Sequence, residues 1–144
     1  MFIGEYALTI DDKGRLAVPK KFRDEMKKGM VVTRGIDNCL FVYPMTEWNK
    51  LAEKISQLPL SQKNTRAFAR LMLAGAMDVS LDGQGRIILP DYLRAYAKTT
   101  KKVVIAGLLN RLEIWDEAAW NQYKKNTESK SEEISEQLGT LGVL

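Results

Sequence analysis

Residues 6–23 read YALTIDDKGRLAVPKKFR, and residues 77–94 read MDVSLDGQGRIILPDYLR. The two stretches align at an offset of 71 with five identities, and six more follow at an offset of 72 as far as residue 120. An ordered match of this kind indicates an internal duplication. The identities of the first block are Asp11, Gly14, Arg15, Pro19 and Arg23, which match Asp82, Gly85, Arg86, Pro90 and Arg94.

Each copy predicts the same local structure. Apolar residues alternate at Tyr6, Leu8 and Ile10, which indicates a half-buried strand. The segment 11–14 is a turn with Gly14 at its end, and 16–18 is a second short strand, so a local hairpin is expected. A short helix should follow Pro19, and a further strand pair should cover 30–33 and 40–43. The second copy repeats this order between residues 77 and 115.

A unit of about 45 residues is too small to bury its own core comfortably. The two copies are therefore expected to complete each other as an intrachain pseudo-dimer. We predict a small β-barrel core of interlocked hairpins with peripheral helices, α+β by content. The predicted boundaries are 5–48 for the first copy, 49–75 for a helical connector, 76–120 for the second copy and 121–144 for a C-terminal helix or tail.

Composition excludes several chemistries. The chain has 22 Lys and Arg against 18 Asp and Glu, a net charge of +4, no histidine and one cysteine. Histidine-dependent catalytic triads and histidine metal sites are therefore impossible, and no cofactor or metal is expected. Cys39 lies in an apolar run and is predicted to be a small buried hydrophobe. The chain shows no signal-peptide pattern and no apolar run of about 18 residues, so a cytoplasmic location is expected.

Positive charge recurs at equivalent places in the two copies. Residues 11–34 contain eight Lys or Arg against four acids, and residues 82–102 contain five against two. A basic stripe predicts nucleic-acid binding, although an ordinary solvated surface is the alternative. Both turns also carry an Asp four residues before an Arg. Such a pair either stabilises the turn by at most about 1 kcal/mol or forms part of a functional tip, where Lys13 adds a donor.

The sequence resembles the MraZ family of bacterial regulators of the division and cell-wall gene cluster. The resemblance covers nearly the whole chain and rests on a doubled motif. The first block comprises the opening Met1-Phe2, Asp11-x-Lys13-Gly14-Arg15-Leu16-x-Val18-Pro19 with Arg23, and Leu40-x-Val42-Tyr43-Pro44 before Glu47-Trp48. The second comprises Asp82-x-x-Gly85-Arg86-x-x-x-Pro90-x-x-Leu93-Arg94, Glu113-Ile114-Trp115 and Trp120.

The resemblance implies an AbrB-like swapped-hairpin (double-split) barrel with both halves in one polypeptide. It also implies a nucleoid-associated transcriptional regulator, expected to repress its own operon, that binds short direct repeats of double-stranded DNA as a ring-shaped homo-oligomer. On this carry-over Lys13, Arg15 and Arg86 lie on DNA-facing loops. One departure is Gln84, which stands where the first copy has Lys13 and makes the second tip less basic.

Side-chain chemistry is compatible with those roles. A guanidinium bonds guanine edges or phosphates, and a neighbouring carboxylate, here Asp11 or Asp82, would orient it. The predicted phosphate contacts on the following helix are Lys20, Lys21 and Arg23.

Two rival functions remain open. An enzyme would need Asp11 and Asp82 to act as a carboxylate dyad, but each has its own arginine, which favours ionisation. We therefore predict that the chain is not an enzyme. An AbrB-like antitoxin or protein-binding module would use the tail 126–144, which is short and mixed in charge. The tryptophans are predicted to pack in the core or at a subunit interface rather than to stack on bases.

Overall fold

The structure, a computed structural model, describes residues 1–143 of the chain. Leu144, the last residue of the predicted segment 121–144, lies outside the described residues. The strands of copy 1 are β1 (Phe2–Thr9), β2 (Arg15–Ala17), β3 (Met30–Arg34) and β4 (Leu40–Pro44). Their counterparts in copy 2 are β5 (Met77–Val79), β6 (Arg86–Ile88), β7 (Lys102–Leu109) and β8 (Leu112–Asp116).

Helices follow the strands in both copies. Two helices lie between the copies, α1 (Met45–Ser56) and α2 (Lys63–Ala69), and α2 continues into a π-helical turn over Arg70–Ala74. Copy 2 contains α3 (Asp91–Tyr96), and α4 (Glu117–Ser129) and α5 (Ser131–Gly139) form the C-terminal part. Asp116 caps α4 by accepting a hydrogen bond from the Ala119 amide, as expected for an acidic residue at a helix start.

Strand pairing crosses between the copies. One antiparallel sheet has the order β1-β7-β8-β4-β3-β5, and a second has β2 paired with β6. The first strand of each copy therefore pairs with the third strand of the other. β1 pairs with β7 from Phe2↔Leu109 to Thr9↔Lys102, and β5 pairs with β3 from Met30↔Val79 to Val32↔Met77.

The local hairpin predicted for residues 6–18 is largely wrong. The turn at 11–14 forms as expected, with the Gly14 amide 3.0 Å from the Asp11 carbonyl oxygen. Beyond it, β1 and β2 meet only at one bridge, Ile10↔Leu16. Because β2 is three residues long and β7 is eight, β1 completes far more of its backbone hydrogen bonds with β7.

The predicted closed barrel is also wrong. Within residues 1–143 the six-stranded sheet stays open, because β1 and β5 lie at its opposite edges and do not pair with each other. β5 has only three residues, all committed to β3, so it offers too short an edge for closure. The architecture is a mainly antiparallel sheet with helices, in which β2 and β6 form a separate small sheet that packs against the large one.

Two apolar clusters hold the layers together. The larger cluster joins the inner face of the large sheet to the β2–β6 sheet and includes Phe2, Leu16, Phe22, Ile87 and Leu93. The smaller lies on the other side, beneath α1 and the π-helical turn. It confirms the prediction for Cys39, which is fully buried, and the packing predicted for the tryptophans: Trp115 is buried, with Trp48 and Trp120 packed beside it.

The single-residue change of offset has a structural counterpart. Where copy 2 forms α3, copy 1 forms two 3-10 turns, Lys20–Phe22 and Asp24–Met26. These segments are followed by residues with positive φ, Gly29 in copy 1 and Lys98 in copy 2. The extra residue of copy 2 is thus absorbed before β7, and the later strands remain in equivalent positions.

Candidate nucleic-acid interface

Each of the two turns is organised by its aspartate. In copy 1, Asp11 Oδ1 accepts hydrogen bonds from the backbone amides of Lys13 and Arg15, both at 2.9 Å. Asp11 Oδ2 accepts from Arg15 Nε at 2.6 Å. A side-chain carboxylate that binds the amide two residues on is a recognised turn-forming arrangement. The arginine is therefore held against the carboxylate of its own turn.

The turn of copy 2 repeats this geometry. Asp82 Oδ1 accepts from the amides of Gln84 and Arg86 at 2.8 and 2.9 Å, and its Oδ2 accepts from Arg86 Nε at 2.8 Å. Replacing lysine by glutamine at position 84 leaves the turn geometry unchanged, because the contact uses the backbone amide. The two Asp–Arg pairs predicted from the repeat thus both form, one in each turn.

Both aspartates are held in the ionised state. The backbone N–H of Arg86, which donates to the carboxylate, is the main reason that the pKa of Asp82 falls from 3.8 to about 2. The Arg15 amide lowers the pKa of Asp11 in the same way. A protease-like dyad would require one of two carboxyls to keep its proton near another carboxylate. Neither aspartate has that character.

The two arginines lie on one exposed face. In the β2–β6 sheet Arg15 pairs with Ile88 and Ala17 with Arg86, so the two arginines are diagonal neighbours. Diagonal residues in an antiparallel pair lie about 7–8 Å apart. Leu16 and Ile87 alternate to the opposite side and are buried. We call the exposed side, formed by Arg15, Ala17, Arg86 and Ile88, the arginine face.

The remaining predicted basic residues differ in their surroundings. Lys13 and Lys20 are exposed. The Lys21 ammonium lies 5.1 Å from the centre of the Tyr6 ring and 5.3 Å from that of Phe22, which are cation–π distances. Arg23 is half-buried, and its Nε donates to the Val18 carbonyl at 2.9 Å.

Two residues of this region escaped the sequence-based prediction. Ile88 is 59% exposed on the arginine face, where an apolar side chain has no packing role. Its alternation with buried Ile87 and Leu89 is the signal that places it there. Arg94 makes the same backbone contact as Arg23, with its Nε 3.0 Å from the Leu89 carbonyl oxygen. The repeat alignment pairs it with Arg23 and is the signal for its role.

Other kinds of site are not evident in the described part of the chain. Across residues 1–143, no three His, Cys, Asp or Glu side chains converge in a way that could hold a metal ion. None of the described helices has the length and apolar character needed to span a membrane. Burial raises the pKa of the Cys39 thiol, which donates to the Ile36 carbonyl at 3.1 Å, so the thiol is not poised as a nucleophile.

These features define a duplicated β-protein whose two copies exchange strands and present matched, arginine-bearing turns on one small sheet. The chain belongs to the MraZ family. The family model described as "MraZ protein, putative antitoxin-like" matches twice, over residues 1–71 and 72–140. The two matches agree with the duplication derived from the residues.

Relatives match along all or nearly all of their length. A transcriptional regulator MraZ of Natranaerobius thermophilus is 51% identical over 138 residues, 96% of each chain. Proteins of the same name from Pediococcus pentosaceus and Caldanaerobacter subterraneus are 48% and 46% identical over 143 residues, which is 99% of this chain and all of theirs. The relatives bear the name of a regulator and not of an enzyme, which confirms the prediction that the chain is not an enzyme.

Proposed function

We propose that the chain is a sequence-specific, DNA-binding transcriptional regulator that contacts double-stranded DNA through the arginine face. The observation that carries the proposal is the pair of arginines, Arg15 and Arg86, each held by its own aspartate and both on one exposed side of the β2–β6 sheet. The names of the relatives, all transcriptional regulators, support it.

The chemistry of the arginine face suits a base edge. A guanidinium forms two parallel hydrogen bonds to guanine O6 and N7, which discriminates between bases by about 1–3 kcal/mol. Asp11 and Asp82 each engage Nε of their arginine, which leaves terminal nitrogens to bond DNA. Because the aspartate already fixes the guanidinium in the free protein, less side-chain entropy is lost when the arginine binds DNA. Exposed Ile88 and Ala17 offer apolar contacts of the kind that thymine methyl groups accept.

Neighbouring lysines would raise the affinity for DNA without discriminating between base sequences. Lys13, Lys20 and Lys21 lie near or after the first turn and are assigned to phosphate contacts, which makes binding salt-dependent. Arg23 belongs to the same region through the turn of copy 2, which its guanidinium contacts. Because copy 1 carries Lys20 and Lys21 where copy 2 has Asp91 and Tyr92, the copy 1 side is assigned the larger electrostatic share.

Membership of the family supports several finer proposals. We infer an AbrB-like swapped-hairpin arrangement, which the exchange of β1 and β5 between copies supports. We also infer a ring of identical subunits that binds short direct repeats upstream of its own division and cell-wall operon, represses that operon and is associated with the nucleoid in the cytoplasm. Several subunits on successive repeats would raise the effective concentration of each contact.

Replacement of Arg15 tests the proposal. Arg15→Ala should weaken binding to a duplex from the region upstream of its own gene by about 5- to 150-fold, the loss of one bidentate base contact. Fluorescence anisotropy at fixed salt measures this, and circular dichroism checks that the fold persists. Arg70→Ala, which removes an equal charge from an exposed helix position, is the matched control and should bind within about twofold of the unchanged protein. Equal binding by both variants would refute the site.

The family description favours one further candidate, a protein-binding role of the antitoxin type. The C-terminal α5 would serve it, because its Ile134 side chain is 38% exposed and the helix makes little contact with the rest of the chain. Deleting residues 131–144 separates the two functions. A DNA regulator should retain DNA binding, whereas an antitoxin should lose its protein partner in a pull-down from the source cells.

A further inference from the structure

The guanidinium of Arg23 lies on the turn of the opposite copy. A Cβ atom added at Gly85 would be 2.7 Å from Arg23 Nη1, so the guanidinium covers the backbone of that residue. Gly85 stands between Asp82 and Arg86, and its amide donates to the Asp82 carbonyl at 3.0 Å. Arg23 therefore contacts the backbone of the turn that presents Arg86, although it belongs to copy 1.

Two hydrogen bonds to backbone carbonyls also connect Arg23 to the opposite turn through Val18. Arg23 Nε donates to the Val18 carbonyl at 2.9 Å, and the Val18 amide donates to the Gly85 carbonyl at 3.0 Å. The guanidinium is thus hydrogen-bonded to Val18, the residue after β2, and the amide of Val18 binds the opposite turn. Gly85 has φ of +76°, a conformation that L-residues rarely adopt, and its lack of a side chain admits the guanidinium.

Arg94 of copy 2 makes the equivalent contacts with the turn of copy 1. Its Nε donates to the Leu89 carbonyl at 3.0 Å, and the Leu89 amide donates to the Gly14 carbonyl at 2.8 Å. A Cβ atom added at Gly14, where φ is +79°, would lie 3.1 Å from Arg94 Cζ. Arg94 also pairs with Asp91 through Nη2, and a carboxylate at that position disfavours a phosphate contact. The same network therefore occurs twice, at equivalent positions.

We propose that Arg23 and Arg94 are crossed positioning residues: each holds the Asp–Arg turn of the other copy, Arg23 that of Arg86 and Arg94 that of Arg15. This inference rests on the proposed function, because the position of the turns matters for DNA only if Arg15 and Arg86 contact it. It assigns Arg23 an action through the opposite turn in place of a direct phosphate bond.

A double-mutant cycle tests the crossing. Arg23→Ala should weaken binding to the upstream duplex roughly tenfold, within the range for residues of one hydrogen-bonded network. The effect should largely disappear when Arg86 is already Ala and persist when Arg15 is already Ala. Arg94→Ala should show the reverse pattern. A residue that merely stabilises the fold would give additive losses on both backgrounds, and that result would overturn the proposal.

Salt dependence separates positioning from phosphate binding. Loss of a phosphate contact lowers the slope of log affinity against log salt by about 0.9. Arg23→Ala should leave the slope unchanged, and a decrease of that size would overturn the proposal. Arg23→Lys keeps the charge but not the Nε–Val18 geometry, so it should behave like Arg23→Ala. Recovery of full binding by the lysine variant would identify a phosphate contact instead.

Amide hydrogen exchange in the absence of DNA tests the same contact independently. In Arg23→Lys the Gly85 and Arg86 amides should exchange faster, and the Gly14 and Arg15 amides should not; Arg94→Lys should do the opposite. If the unchanged protein fails to bind the duplex, the proposed function fails, while this exchange pattern still decides the crossed contact. Equal exchange at both turns would refute it.

Discussion

At the scale of single residues, the two oxygens of one aspartate carboxylate organise each turn. Asp82 accepts two backbone amides and one guanidinium N–H, and Asp11 does the same in copy 1. Hydrogen bonds of this kind stabilise the charged form of a carboxyl. Because roughly a third of each side chain is exposed to solvent, which screens the ion pair, the benefit lies in fixing geometry more than in stability.

The pKa of Asp82 provides a direct test of this arrangement. An NMR titration of its carboxyl carbon should give a midpoint of about 2, compared with 3.8 for an unperturbed aspartate. Since the folded-state pKa is the lower one, ionised Asp82 favours the folded state above about pH 4, and this contribution is lost as the pH falls through about 2. Arg86→Gln keeps the backbone amide and should retain most of the lowering. A return to the ordinary value in that variant would contradict the amide as main cause.

The sequence could predict the Asp–Arg pairs but not the residues that support them. A spacing of four across a glycine-containing turn brings Asp11 and Arg15 together locally, so the pattern alone is sufficient. Arg23 and Gly85 are 62 positions apart, and only the pairing of β2 with β6 brings them into contact. Because this contact does not show in the sequence, the sequence predicts Arg23 only as a phosphate contact, and that assignment stays a prediction.

At the scale of elements, the pattern of residues fixed strand positions but not strand partners. Alternation at Tyr6 and Leu8 is satisfied by any antiparallel neighbour of matching period, within the copy or across it. Length decided the outcome: β7 offers eight residues to β1, whereas β2 offers three. Duplicated sequences are especially ambiguous, because the equivalent strand of the other copy carries the same pattern.

β1 depends on its inward-facing residues. Phe2 is buried and packs edge-to-face with Phe22, their ring centres 5.3 Å apart. Phe2→Ala should lower the free energy of unfolding by about 3–5 kcal/mol, measured by urea denaturation. Ile3→Ala removes a 51% exposed side chain from the same strand and should change it by no more than about 0.5 kcal/mol. Similar losses in the two variants would contradict the assigned faces of β1.

At the scale of the whole molecule, the exchanged strands make the two copies one folding unit. The prediction that each copy completes the other agrees with pairings β1–β7, β2–β6 and β3–β5, which all join residues of different copies. The predicted closure into a barrel failed because a repeat pattern does not specify whether the edge strands pair, and here β1 and β5 remain unpaired edges of the large sheet. The predicted domain boundaries remain untested.

Cleavage of the connector tests this unity. A protease site inserted between Leu60, which is 79% exposed, and Ser61 should yield two fragments that elute together on size exclusion and keep their circular dichroism. They should separate only in denaturant, because four strand pairings, β1–β7, β2–β6, β3–β5 and β4–β8, join them. A site inserted between Lys130 and Ser131 is the control, and its cleavage should release a short peptide. Separation of the connector fragments in native buffer would refute the interlocked arrangement.

The presence of Lys13 in one turn and Gln84 in the other has a consequence for how the two turns can evolve. In a homodimer of the same shape, a single codon change would alter both turns at once. Here the two turns are encoded separately, so one can change while its counterpart and the shared scaffold are kept. The two turns therefore need not be identical: at the same position one carries an ammonium group and the other an uncharged amide.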